Sequence, residues 1–222
     1  MKKDGFVESI VRSSYVLTER GRNFIASINQ KPLLYKRQWD KQWHLVLMGF
    51  PETERNKRDK FRADILQTGF GSLYNGVFIS PWPHEQEVES AIARIRAEEH
   101  ITIFRGVMLN RSVTREMAWN IWKLAELQHL YAYKKKWFEE EFGPHSASLL
   151  YSGADPLELF ILYLHLGEVI SELYLADPML PSDLLPETWI GKRILEQLQA
   201  EVEKLVEAIP DNSPYKRFVR SP

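Results

Sequence analysis

The 222-residue sequence contains no cysteine, which excludes a disulfide framework, a thiolate zinc site and a cysteine nucleophile. Long uninterrupted apolar runs are missing too. The longest, residues 159–166, is far shorter than the roughly 18 residues that a membrane span needs. No apolar segment follows the charged start Met1-Lys2-Lys3-Asp4, which therefore does not resemble a secretory leader. We expect a cytoplasmic protein without a membrane partner.

Motifs for phosphate and metal chemistry are scarce as well. Neither the P-loop pattern nor the dinucleotide-binding glycine pattern occurs, and the six histidines form no His-x-x-x-His pair. One predicted helix carries four potential metal ligands on one face: Glu158, His165, Glu168 and Glu172. Facing helices with matching carboxylates would be needed, so an ordinary polar face is the simpler interpretation. We expect neither a metal nor a cofactor, and no enzyme activity.

Charge is unevenly distributed along the chain. Residues 1–41 hold nine Lys or Arg and four Asp or Glu, a net charge of +5, although the whole chain carries −1. The remainder therefore carries −6. A basic head on an acidic body indicates that the head contacts a polyanion, with chance as the alternative.

The first 30 residues predict a β-hairpin and a helix. Two strands within residues 5–18 flank Arg12-Ser13-Ser14, and Thr18 is placed to cap a helix over residues 19–29. A hairpin with a basic tip, followed by a helix, is the back half of a winged helix; an ordinary hairpin is the alternative. Residues 31–42 are then a linker.

Residues 43–110 predict a compact α+β unit. Strands are expected over residues 45–50, 72–74, 77–80 and 101–109, and helices over 54–68 and 84–97. Gly69 ends the first helix, and Asn75-Gly76 favours a tight hairpin turn. The order strand, helix, hairpin, helix, strand is that of a ferredoxin-like βαββαβ domain.

Residues 111–210 predict a helical domain, with a tail over 211–222. Residues 112–142 predict either one long helix or two helices with a soft break, and Gly143-Pro144 is expected to end this pattern. Asp155-Pro156 is expected to start the next helix. That helix has a predicted apolar face of Leu157, Phe160, Ile161, Leu164, Val169 and Leu173. A last amphipathic helix covers residues 191–208.

Three prolines within nine residues, at 178, 181 and 186, cannot lie in one helix. We expect them to form a rigid elbow over residues 177–191, with Leu184, Leu185 and Trp189 buried beneath it.

Several of these blocks resemble the PaaX family, transcriptional repressors of aromatic-acid (phenylacetate) degradation. In the central unit the resemblance is carried by Trp43, Pro51-Glu52, Arg55, Arg58, the turn 69–71 and the strand 77–81. The spacing Tyr15-x-Leu17-Thr18-x-x-Gly21 resembles the end of the wing, and Trp122, Leu124, Leu127 and Tyr131 the first C-terminal helix. The DPxLPxxLLPxxWxG pattern from Asp177 to Gly191 is the most specific motif.

The resemblance implies a homodimeric repressor of catabolic operons that an aryl-acyl-coenzyme A effector releases from DNA. Lys2, Lys3 and Arg12 would contact DNA phosphates, which position a protein without specifying sequence. A winged helix carries its recognition helix before the wing, whereas this sequence starts at the wing. We therefore expect weak, sequence-independent DNA binding by these residues.

Three arginines at helical spacing form a candidate ligand-binding stripe: Arg55, Arg58 and Arg62. They could bind phosphates of nucleic acid or of a coenzyme A thioester. The alternative is a solvated stripe paired with Glu54, Asp59 and Asp64.

Two other functions are weighed against the repressor. One is a dimerisation or protein-interaction module. The other is a metal-dependent nuclease, because the central unit also resembles the small CRISPR-associated ferredoxin-like endonucleases. Those enzymes keep an acidic residue at the end of their first strand. Here that strand ends Met48-Gly49-Phe50-Pro51, without a carboxylate, which disfavours metal-assisted cleavage.

Overall fold

The computed structural model of the chain describes residues 6–11 and 14–219. It confirms the α+β class, with helices and two antiparallel sheets in the described part. The first sheet is the hairpin of β1 (Val7–Val11) and β2 (Ser14–Leu17), which pair with Val7 opposite Leu17. The predicted cap is confirmed, since the Thr18 hydroxyl accepts a hydrogen bond from Gly21 N at 3.0 Å and α1 (Glu19–Gln30) follows.

The predicted linker contains a 3-10 turn, Lys31–Lys36, that lies against the body of the protein. Lys31 is buried, and Tyr35 reaches a carboxylate in the helical part of the chain. We call residues 31–41 the connector. It links the hairpin and α1 to the larger sheet and also contacts the helices beyond that sheet.

The second sheet has the order β4-β5-β3-β6, with every neighbouring pair antiparallel. Its strands are β3 (Trp43–Met48), β4 (Gly71–Tyr74), β5 (Val77–Ser80) and β6 (Ile101–Gly106). Helices α2 (Arg55–Thr68) and α3 (Glu85–Ile95) connect them in the sequence order strand, helix, strand, strand, helix, strand. Gly69 ends α2 at φ +119°, as predicted, and Gly76 takes φ +74° in the hairpin turn.

The two faces of this sheet belong to different cores, because successive side chains of a strand point to opposite faces. Val46 and Phe78 pack with Phe61 of α2 and Val88 of α3. Trp43 and Ile79, on the opposite face, join the core of the C-terminal helices. The larger core therefore crosses the predicted domain boundary at residue 110.

The C-terminal part consists of helices around that larger core. They are α4 (Arg115–Ile121), α5 (Leu124–Trp137), α6 (Gly143–Ser152), α7 (Pro156–Ala176) and α8 (Gly191–Ala208). The predicted start of α7 is confirmed, since the Asp155 carboxylate accepts a hydrogen bond from Leu157 N at 2.7 Å.

The predicted stop at Gly143-Pro144 is wrong. A π turn, Phe138–Phe142, joins α5 to α6, so the helical path continues to Ser152. In this turn Gly143 N donates to the Phe138 carbonyl five residues earlier. Pro144 then sits in the first turn of α6, where its missing N–H costs least.

The predicted apolar face of α7 is also partly wrong. Leu159, Leu162 and Leu166 enter the core, whereas Leu157, Ile161 and Leu164 are exposed. The helix is apolar around most of its circumference, so periodicity alone did not identify the buried side. By length and composition α7 is also the one helix in the described residues that could cross a membrane, and 39% of its most apolar window is buried inside the protein.

Candidate functional site

The elbow meets the connector and α5 at the buried carboxylate of Asp177. Tyr35 Oη and Tyr131 Oη donate to Asp177 Oδ2 at 2.6 and 2.5 Å, and Met179 N donates to Oδ1 at 2.7 Å. These donors come from the connector, from α5 and from the elbow itself. A single carboxylate therefore joins three parts of the chain that are far apart in sequence.

Burial sets the protonation behaviour of this group. It raises the pKa of Asp177, while the hydrogen bonds from Tyr131 and Tyr35 act in the opposite direction. Burial, together with the nearby carboxylate, also raises the pKa of both tyrosine hydroxyls. The tyrosines therefore stay protonated and remain hydrogen-bond donors.

The structure also explains several other residues of the elbow motif. Leu184 and Leu185 are buried, as predicted. Trp189 is partly buried and packs against the same core. Its indole N–H donates to Tyr35 Oη at 3.0 Å. At Gly191 an added Cβ would lie 2.7 Å from Trp189 Nε1 and 2.8 Å from Tyr131 Cε2, so only glycine fits.

Two tryptophans attach the central sheet to this region. The buried Trp82 donates from Nε1 to the Met179 carbonyl at 2.8 Å, and Met179 takes a left-handed conformation with φ 53°. Trp122 donates from Nε1 to the Gly69 carbonyl at 2.9 Å. Gly71 is needed in β4 because a Cβ there would lie 2.7 Å from the Trp122 ring.

Three basic residues, Lys31, His84 and Arg37, influence one another electrostatically near the same junction. Burial lowers the pKa of Lys31 to about 8, against the opposing attraction of Asp177. Burial, with the nearby charges of Lys31, His44 and Arg37, lowers the pKa of His84 to about 4. His84 Nε2 is buried without a hydrogen-bond partner among the described residues. At neutral pH the imidazole is therefore uncharged.

The predicted arginine stripe lies on the exposed side of α2. Arg58 contacts Glu52 at 3.0 Å and Asp59 at 3.3 Å, and Arg55 contacts Asp59 at 3.6 Å. The predicted pairings with Glu54 and Asp64 are wrong, because those carboxylates pair with Lys57 and Arg94 instead. Arg62 is exposed. Ligand binding by Arg55, Arg58 and Arg62 stays a prediction.

The predicted DNA contacts Lys2, Lys3 and Arg12 lie outside the described residues. In the part of the chain that the structure describes, no group of three or more His, Asp or Glu side chains is arranged to hold a metal ion.

Sequence reasoning missed the partners of Asp177. Tyr35 stands in a segment predicted as a linker, and Tyr131 looks like any apolar residue of an amphipathic helix. Asp177 itself belongs to the recognised motif. A hydrogen bond between positions 35 and 177 leaves no local signal in the sequence, since no periodicity relates residues so far apart.

Comparisons with known proteins agree with this architecture. The sequence model of the PaaX protein central Cas2-like domain matches residues 36–118, and that of the PaaX-like protein C-terminal domain matches residues 122–211. The transcriptional repressor PaaX of Escherichia coli K12 is 25% identical over 189 residues, which cover 81% of this chain. The matched region spans 57% of that relative's length.

A solved structure shares the fold over most of the chain. It is an uncharacterized protein from Mycobacterium tuberculosis, 17% identical, with a TM-score of 0.51 over 93% of this chain and 79% of that one. The elbow motif, the matched central domain and the matched C-terminal domain lead to one conclusion: the chain belongs to the PaaX family.

Proposed function

We propose that the chain is the body of a cytoplasmic transcriptional repressor of the PaaX type. The observation that carries the proposal is the pair of adjoining matches, to the central and C-terminal domains of one regulator family, on either side of residue 120. The curated relative that covers both is a transcriptional repressor.

In this proposal the hairpin β1–β2 and α1 are the wing and final helix of a winged helix, and the βαββαβ sheet is a ferredoxin-like domain. Lys2, Lys3 and Arg12 contact DNA phosphates. The strand order β4-β5-β3-β6 supports the ferredoxin-like assignment, because the first and third strands of the unit lie side by side at the centre. The hairpin followed directly by a capped helix supports the winged-helix assignment.

Regulation requires that the body influences the position of the hairpin and α1. Helix α1 contacts α7 and continues directly into the connector. The connector in turn contributes Tyr35 to the buried carboxylate of the elbow. An aryl-acyl-coenzyme A effector bound to the body would act along this path and favour a state whose wings no longer match the operator. The arginine stripe of α2 is one candidate site for its phosphates.

A second copy of the chain is the proposed protein partner. The exposed apolar residues Leu157, Ile161 and Leu164 lie one turn apart on α7 and favour this helix as the dimer interface. The alternative that the chain is only a dimerisation module predicts the same dimer without DNA binding.

DNA binding tests the proposal. We expect the chain to bind duplex DNA with Kd of about 10⁻⁴–10⁻⁶ M and steep salt dependence, because phosphate contacts supply the affinity. The measurement is fluorescence anisotropy at two salt concentrations, with intergenic DNA from the chain's own operon and a scrambled duplex. Replacing Lys2, Lys3 and Arg12 by Glu should weaken binding to both duplexes and flatten the salt dependence.

The matched control replaces three exposed basic residues of the helical part, Lys123, Lys192 and Arg193, by Glu. It should leave binding unchanged. An equal loss of DNA affinity in both variants would show that the DNA contact does not lie in the head. Absence of DNA binding at low salt would favour the interaction module. Metal-dependent cleavage of either duplex would instead support the nuclease.

A further inference from the structure

The turn between β4 and β5 contains the one Asn-Gly dipeptide of the sequence. Asn75 and Gly76 are the two turn residues, and Tyr74 and Val77 on either side face each other in the paired strands. Asn75 is exposed, and its carboxamide makes no hydrogen bond within the described residues. The Gly76 N–H also donates to none of them. An unbound side-chain amide therefore lies next to an unbound backbone N–H.

Gly76 is required in this turn by the backbone around it. It takes φ +74°, and its carbonyl accepts a hydrogen bond from Met48 N at 2.8 Å. A Cβ added at Gly76 would lie 2.7 Å from the Met48 carbonyl oxygen, so a residue with a side chain does not fit. The residue after Asn75 therefore has no Cβ that could hinder a reaction at its backbone nitrogen.

An Asn-Gly sequence can react with itself in water. The glycine nitrogen attacks Cγ of the asparagine carboxamide, and the new N–C bond closes a five-membered succinimide ring. The carboxamide nitrogen leaves as ammonia and takes up the proton that the glycine nitrogen loses. Water then adds to one of the two ring carbonyls and breaks its bond to nitrogen. The product is aspartate, or isoaspartate with the main chain running through the former side chain.

We propose that the folded chain undergoes this reaction at Asn75 and acquires isoaspartate there without an enzyme. The other asparagines, at positions 23, 29, 56, 110, 120 and 212, are each followed by a residue with a Cβ. Those at 23, 29, 56 and 120 also lie in helices, where the backbone dihedral angles are fixed. After Asn212, the backbone N–H of Ser213 is bonded to the Pro210 carbonyl at 2.9 Å.

Isoaspartate changes the hairpin because it adds one carbon atom to the main chain of the turn. The length of the turn sets the register in which Tyr74 faces Val77. We do not expect a longer turn to keep both this register and the hydrogen bond from Met48 to Gly76. The modification therefore loosens the contact between the hairpin and the end of β3, and it adds a negative charge at the turn. It is independent of the proposed repressor function.

Hydroxylamine tests whether the ring forms in the folded chain, because it cleaves a succinimide at the bond to glycine. We expect the folded protein in hydroxylamine at mildly alkaline pH to give two fragments, residues 1–75 and 76–222. The chain unfolded in urea should give the same fragments faster. Cleavage of the unfolded chain alone over the same time would overturn the proposal, because the folded turn would then prevent ring closure.

Peptide mapping by mass spectrometry locates the product after prolonged incubation without hydroxylamine. We expect isoaspartate at position 75, formed faster at mildly alkaline than at mildly acidic pH, because the attacking nitrogen must lose its proton. Asn75→Gln should abolish both the isoaspartate and the hydroxylamine fragments, since glutamine would have to close a larger ring.

Asn110→Gln is the matched control, because Asn110 is exposed and outside the helices and strands but is followed by Arg111. This variant should form isoaspartate at position 75 at the wild-type rate. Thermal melts show that each variant is folded. Equal modification of positions 75 and 110 in the wild type would overturn the requirement for glycine. Aspartate at position 75 without isoaspartate would mean direct hydrolysis of the amide and overturns the ring mechanism.

Discussion

A carboxyl group without solvent contact, like that of Asp177, is stable only where hydrogen-bond donors surround it. Here the donors are two tyrosine hydroxyls and one backbone N–H. The tyrosines come from segments that precede Asp177 by 142 and 46 residues. The carboxylate therefore specifies how the connector and α5 meet the elbow, and this explains why the motif begins with aspartate.

At the same scale, His84 gives a pH-dependent stability that can be measured. Its pKa falls from 6.5 to about 4 in the folded chain, so between these values the unfolded chain binds a proton that the folded chain does not. The contribution of His84 to the free energy of unfolding should therefore be undiminished above pH 6.5. The free energy of unfolding should decrease by up to roughly 3 kcal/mol as the pH falls to about 4. Urea titrations at several pH values measure it.

His84→Gln is the informative variant, since glutamine keeps a polar side chain without titrating. Its stability should fall less steeply between pH 6.5 and 4 than that of the wild type. His44, whose pKa burial also lowers, and Asp177, whose pKa burial raises, are present in both proteins and cancel in the difference. Identical slopes for the two proteins would show that His84 is protonated without cost in the folded chain.

At the scale of elements, the π turn between α5 and α6 depends on a glycine. A Cβ added at Gly143 would lie 2.9 Å from the Phe138 carbonyl oxygen, which is closer than packed side chains approach backbone. Gly143→Ala should therefore destabilise the protein by about 1–2 kcal/mol, although alanine is the better helix former. Chemical denaturation at constant pH measures the change.

Gly167→Ala in α7 is the control for this prediction, because nothing lies within 4 Å of a Cβ added there. It should stabilise the protein by about 0.5–1 kcal/mol, the ordinary gain for alanine in a helix. Stabilisation by both substitutions would mean that the π turn relaxes to accept a side chain.

At the scale of the whole molecule, the exposed stripe of α7 predicts self-association. Ile161→Glu places a charge at the middle of the stripe, where 55% of the wild-type side chain is exposed. Light scattering coupled to size exclusion should show a dimer for the wild type and a monomer for the variant, with unchanged melting because the site is on the surface.

Lys192→Glu, on an exposed position of α8, is the control and should remain dimeric. A dimeric Ile161→Glu variant would place the interface elsewhere, with the edge strand β6 as the next candidate. A monomeric wild type that binds lipid vesicles through this stripe would contradict both the dimer and the expectation that no membrane is involved.

Local patterns in the sequence determined most of the elements. Thr18, Gly69, Asn75-Gly76 and Asp155-Pro156 mark caps and turns, and each acts through neighbours within a few residues, so no distant contact is needed to predict them. The PaaX resemblance rested on the same kind of contiguous blocks, above all on the elbow motif.

The tertiary structure decided which side of a helix faces the core and which side chains distant in sequence contact each other. The buried side of α7 depends on where its neighbours pack, because the helix is apolar almost all round. At the π turn the rings of Trp137 and Phe142 pack with their centres 4.9 Å apart, a contact that the Gly143-Pro144 pattern alone does not predict. The cluster of Asp177, Tyr35 and Tyr131 exists only because the connector folds back onto the elbow, a long-range contact to which no residue spacing corresponds.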